Sequence, residues 1–121
     1  MGNRESSIVL KKSFDFGVKI VQLHEQLAQD KHFVLGKQLL RSGTSIGANI
    51  NEALAGYSKK DFVYKLTISL KEAQESEYWI KLIEAAGITQ DINYKPYLTD
   101  VVELQKILTA IIKTSRNNEL N

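Results

Sequence analysis

The chain has 121 residues, 43% hydrophobic and 25% charged, with no cysteine and a formal net charge of +2. A chain of this length and balance builds one ordinary globular core, and the absence of thiols excludes disulfide scaffolds and thiolate metal sites. So small a net charge also sets it apart from nucleic-acid binders recognised by bulk charge alone.

No run nears the roughly 18 apolar residues of a membrane span, and the opening Met1-Gly-Asn-Arg-Glu-Ser-Ser7 lacks the basic and apolar regions of a signal peptide. The expected location is the cytoplasm, with no membrane partner. Met1-Gly2 through Ser6 formally matches an acylation pattern, but the pattern is too short to weigh against that expectation. One proline and the lack of β-branched alternation predict an all-α chain, read as a single domain over residues 1–121.

The first helix is predicted over about 7–28. Phe16, Ile20, Leu23 and Leu27 form one apolar stripe, and Leu10, Phe14, Val18 and Val21 form a second beside it. A broad core face is the simpler reading of that width; contact with another subunit is the alternative. The second helix, over about 34–57, carries Leu35, Leu39, Ser42, Ile46, Asn49 or Ile50, and Ala53 in heptad-like register. Two interior glycines, Gly43 and Gly47, each cost about 1 kcal/mol relative to alanine, so something must offset them. Close helix packing on one face is the first reading. A nucleotide-binding loop is not, because the Gly-Lys-Ser/Thr sequence between strand and helix is missing.

Ser58-Lys-Lys-Asp61 is a capping box that announces a third helix over about 59–86, with Phe62, Leu66, Ser69, Ala73, Ser76, Ile80 and Ile83 inward and Gly87 as its stop. The fourth, over about 93–115, tolerates Pro96 in its first turn and spaces Tyr97, Val101, Leu104, Leu108 and Ile111 by fours and threes. The tail Arg116 to Asn121 is expected to be disordered. Four helices of this length with short connections predict an antiparallel up-down-up-down four-helix bundle.

Polar residues near the seam of helix two need partners. If helices two and three turn near Tyr57 to Lys60, Arg41 lies level with Glu75, Ser45 with Glu72, and Glu52 with Lys65. Arg41, Ser45, Asn49, Glu52, Lys65, Glu72 and Glu75 are therefore expected to form a structural polar network that fixes register. The Glu-x-x-His motif of di-metal bundles is absent, His24 and His32 have no nucleophile beside them, and Glu72 and Glu75 offer carboxylates alone. No catalytic residue, metal or cofactor is expected.

Charge is uneven along the chain: through Lys71 there are 11 Lys and Arg against 6 Asp and Glu, giving +5, and beyond it 5 against 8, giving −3. The topology gathers Arg4, Lys11, Lys12, Lys59, Lys60, Lys113 and Arg116 at one end of the bundle. Lys11, Lys12, Lys59, Lys60, Lys113 and Arg116 are the expected nucleic-acid contacts, the alternative being solvated charges that complement helix dipoles. Tyr57, Tyr64, Tyr78 and Trp79 read first as core or interface aromatics and second as stacking platforms for unpaired bases.

The stretch Leu39-Leu-Arg-Ser-Gly-Thr-Ser-Ile-Gly-Ala-Asn-Ile-Asn-Glu-Ala53, followed by Ser58-Lys-Lys-Asp-Phe62, Lys65-Leu66 and Lys71-Glu-Ala73 through Glu75 to Tyr78-Trp79, strongly resembles the 23S ribosomal RNA intervening-sequence protein family of small bacterial proteins. The resemblance implies a four-helix bundle assembled as a barrel-shaped homopentamer. It extends to the accessory variability protein of diversity-generating retroelements, a basic pentamer that binds nucleic acid and a reverse transcriptase. The resulting expectation is a non-enzymatic, oligomeric ribonucleoprotein accessory factor with structured RNA, or else DNA, as ligand. The alternative is an interaction scaffold that binds another protein and no nucleic acid.

Overall fold

The computed structural model describes residues 4–120, with side chains as far as residue 117. The acylation pattern at Met1-Gly2, the Glu119 side chain and Asn121 lie outside that description. Four helices, α1 (Arg4–Gln29), α2 (Phe33–Leu54), α3 (Lys59–Ala86) and α4 (Lys95–Leu120), account for nearly all of it, and the described residues contain no strand. Each helix packs on its sequence neighbour and α4 returns against α1, with Lys12 opposite Glu103 and Glu52 opposite Lys65 marking antiparallel pairs. This is an antiparallel four-helix bundle.

Local chemistry explains where the helices stop. The Ser58 hydroxyl accepts from the Asp61 amide at 3.0 Å and so caps α3, and Gly87, at φ 65°, closes it in the left-handed conformation. The end of α1 uses the same left-handed conformation without glycine. Lys31 takes φ 65° while the amides of Lys31 and His32 return to the carbonyls of Ala28 and Leu27 at 3.0 and 2.8 Å. Asn93 Oδ1 accepts from the Lys95 amide at 3.1 Å, so α4 begins two residues later than its periodicity suggests.

Other boundaries also differ from expectation. Helix α1 starts at Arg4 because Ser6 and Val9 are buried and add a packed turn. Helix α2 ends at Leu54, and Tyr57, counted in its pattern, is fully exposed in the connection. The expected disorder from Arg116 is corrected: α4 runs to Leu120, since no glycine or proline interrupts the backbone ladder after its last core residues, Ile111 and Ile112.

One core cluster joins Phe16, Ile20, Leu23 and Leu27 of α1 to Leu39, Ile46 and Ile50 of α2, Leu66, Ile80 and Ile83 of α3, and Val101, Leu104 and Leu108 of α4. The heptad ambiguity in α2 resolves to Ile50, and Asn49 sits at the edge. Of the second stripe of α1 only Leu10 packs against the core. Phe14 is 68% exposed and Val18 and Val21 are nearly half exposed, so the broad-core reading is overturned.

The glycines of α2 face α1. A Cβ on Gly43 would lie 2.9 Å from two carbons of the fully buried, β-branched Ile20, and one on Gly47 would lie 3.2 Å from Ser13 Oγ and 3.4 Å from its carbonyl carbon. A Cβ on Gly17 meets nothing within 4 Å. Gly43→Ala is therefore expected to destabilise the fold by about 1–3 kcal/mol despite its gain in helix propensity. Gly17→Ala should stabilise by roughly 0.5–1 kcal/mol. Urea denaturation of the two variants measures this difference in sign.

Candidate functional site

The seam between α2 and α3 carries the densest polar chemistry of the chain. Three serines lie fully buried there. Ser76 Oγ lies 2.8 Å from both Ser42 Oγ and the Glu72 carbonyl, and Ser69 Oγ donates across the seam to the Ile46 carbonyl at 2.8 Å. Their small volume lets the helices approach, and the hydrogen bonds remove the cost of burying hydroxyls. Ser69 and Ser76 count as apolar-stripe positions in the periodicity alone. The signal that identifies them is a serine at a core position level with the partner helix's small residues.

At the outer edge of this seam, the Arg41 guanidinium bridges two carboxylates of α3. Nη1 donates to Glu72 Oε2 at 2.9 Å and Nη2 donates to Glu75 Oε2. The Trp79 indole N–H donates to the same Glu75 oxygen at 2.9 Å. The fork geometry suits a guanidinium and not an ammonium. Glu52 and Lys65 meet at 3.8 Å further along.

Ser45 does not meet Glu72. Its hydroxyl donates to the Arg41 carbonyl at 2.6 Å, and Asn49 Nδ2 donates to the Ser45 carbonyl at 2.8 Å, so both turn back on their own helix. The two carboxylates face the guanidinium, and among the described residues no three His, Asp or Glu side chains gather as a metal site requires. Gly43 and Gly47 belong to the opposite seam, against α1.

The basic end is thinner than its residue count. Lys11 pairs with Asp15 at 3.0 Å and Lys12 with Glu103 of α4 at 2.5 Å, a hydrogen bond that holds the Lys12 ammonium above its usual pKa. Lys59, Lys60, Lys113 and Arg116 are exposed and make no ion pair among the described residues. The aromatics correct the core reading: Tyr57, Tyr64 and Tyr78 are exposed, and Trp79 alone packs partly against the core.

On the flank of α1 and α2, an open groove of about 1070 Å³ is lined by Leu10, Phe14, Val18, Val21, Thr44 and Ala48 among others. No helix among the described residues is long and apolar enough to cross a membrane.

The Trp79 indole first, and Arg41 after it, hold the Glu75 carboxyl below the ordinary glutamate range against the opposing effect of its burial. Because the folded value is the lower one, this stabilisation is complete above the ordinary glutamate pKa of about 4.3. It is lost as pH falls through the folded value. Trp79→Phe is expected to raise the Glu75 pKa, read from carboxyl-carbon NMR. The stability gap between variant and parent should be wider at pH 7 than in acid, narrowing as pH falls through the folded value.

Residues 5–110 match the model of a family described as 23S rRNA-intervening sequence protein. The fold is similar to the crystal structure of a protein of unknown function from the S23 ribosomal protein family of Bacteroides thetaiotaomicron. That likeness has a TM-score of 0.85 and 44% sequence identity, over 90% of this chain and 98% of that one. No curated protein matches the sequence.

Proposed function

Because the chain belongs to the 23S rRNA-intervening sequence protein family, we propose that it is a non-enzymatic, self-assembling ribonucleoprotein accessory factor of the bacterial cytoplasm that binds structured RNA. The observation that carries the RNA reading is the group of four exposed cations without carboxylate partners among the described residues, Lys59, Lys60, Lys113 and Arg116, at one end of the bundle. Cations left free at a surface release counterions from phosphate, whereas the paired Lys11 and Lys12 contribute less. Repeating the end around a ring multiplies the field, which offsets the low net charge of one chain.

Self-assembly rests on the apolar flank of α1 and α2, where Phe14, Val18 and Val21 stand exposed side by side. A second copy covers it in this reading. The homopentamer that the family resemblance implies is the closed ring proposed here. Such a ring uses two different surfaces of each subunit. The same flank supports the second reading, a scaffold that seats another protein and binds no nucleic acid.

Two experiments decide between these. In fluorescence anisotropy with labelled structured RNA at low salt, Lys59→Glu, Lys60→Glu, Lys113→Glu and Arg116→Glu together are expected to abolish binding without changing assembly. Flat traces with the folded parent protein would give the scaffold reading the field. In sedimentation equilibrium, the parent is expected at about five times the chain mass of 13.7 kDa. Phe14→Glu with Val18→Glu should sediment as single chains with unchanged helicity; a parent that sediments as one chain removes the ring.

A further inference from the structure

The outward ridge of α3, diagonally across the core from α1, has a chemistry that neither the polar seam nor the apolar flank explains. Its inward positions, Phe62, Leu66, Ala73, Ile80 and Ile83, are buried, which turns Lys60, Tyr64, Lys71 and Tyr78 to solvent along one line. Tyr64 and Tyr78 are 62% and 60% exposed. They lie two heptads apart, about 21 Å along the axis at 1.5 Å per residue, with Lys71 midway. Neither Lys60 nor Lys71 has an ion pair among the described residues. Three carboxylates on neighbouring turns are engaged elsewhere: Glu72 and Glu75 by Arg41, and Glu77 by Lys81 at 2.8 Å and by Gln105 of α4 at 2.7 Å.

We propose that this ridge is the docking surface for an unpaired segment of RNA, with bases stacked on Tyr64 and Tyr78 and phosphates against Lys60 and Lys71; it rests on the RNA reading above. Cation and aromatic in alternation match the alternation of phosphate and base in a single strand. Protein interfaces share the tyrosines but deplete lysine at their centres, so the lysines between the rings favour a polyanion. The apolar flank of α1 and α2, not this ridge, has the composition that suits a protein partner. Unpaired loops and bulges are where structured RNA exposes base faces, so the ridge selects the ligand that the basic end attracts. Lys60 belongs to both surfaces and makes them continuous.

The fold contains its own reporter. Trp79 is the only tryptophan of the chain, and its ring lies edge-on to Tyr78 with centroids 5.2 Å apart. A base stacked on Tyr78 changes the surroundings of that indole.

The test titrates a fluorescein-labelled unpaired 20-nucleotide RNA, and the same RNA annealed to its complement, against the full chain, Tyr64→Ala with Tyr78→Ala, and Tyr64→Phe with Tyr78→Phe. Circular dichroism and sedimentation accompany each protein. The alanine pair is expected to bind the unpaired RNA at least tenfold more weakly and the duplex with unchanged affinity, while the phenylalanine pair binds as the parent does. In the parent, unpaired RNA should change Trp79 emission in proportion to saturation, and duplex should not. An alanine pair that binds unpaired RNA like the parent overturns the ridge and leaves the RNA reading standing. A parent that binds neither RNA at low salt overturns both. An alanine pair that loses the assembly and keeps its RNA affinity reassigns the ridge to a second copy.

Discussion

Helix α2 must lie close to both α1 and α3, and the other features of the bundle follow from that constraint. Toward α1 it presents Gly43 and Gly47, whose missing Cβ atoms make room for Ile20 and Ser13. Toward α3 it presents Ser42, which meets Ser76, while Ser69 reaches the Ile46 carbonyl. The two solutions are chemically different. Glycine admits a neighbour by having no side chain, at a cost in helix propensity. Serine admits one by being small, on condition that its hydroxyl is hydrogen bonded. With small residues of α2 at both seams, its Leu39, Ile46 and Ile50 meet the large side chains of α1, α3 and α4 in the centre, and the long polar residues are displaced to the rim. Arg41, Glu72 and Glu75 form their fork there, half in water, where it sets register more than it adds stability.

That division leaves surfaces of unlike character. The flank of α1 and α2 is apolar because the second stripe of α1 finds no room in a core already filled by the first. The outward line of α3 alternates cation and ring, and its neighbouring carboxylates are held by Arg41, Lys81 and Gln105. A chain with a net charge of only +2 thereby still presents single cations, Lys60 and Lys71, that no carboxylate pairs with among the described residues.

Much of this architecture was legible in the residues. Heptad spacing in α2 and α3, the Ser58 to Asp61 cap and Gly87 define elements whose chemistry is local, and local chemistry is what periodicity records. The register that sets Arg41 beside Glu75 follows from counting outward from a short turn. Features that depend on competition between neighbours were not legible. Ser45 and Asn49 have carbonyls of their own helix within reach, and these won over partners across the seam. The left-handed Lys31 is equally silent, because nothing in a lysine announces a conformation usually left to glycine. Exposure of Tyr64 and Tyr78 follows from the inward stripe of α3, off whose line they lie; their aromatic character pointed to the core instead.

The closure of the four-helix ring has an entropic side. Three of the four helix pairings join sequence neighbours across short connections, so they form with little loss of chain entropy. The fourth, between α1 and α4, joins the two ends of the chain. It is also the thinnest, bridged at its edge by Lys12 with Glu103 and Lys19 with Asp100. The seam between α1 and α4 thus carries the largest loop-closure cost of the four pairings and the least packing to offset it, which makes it the weakest line of the bundle.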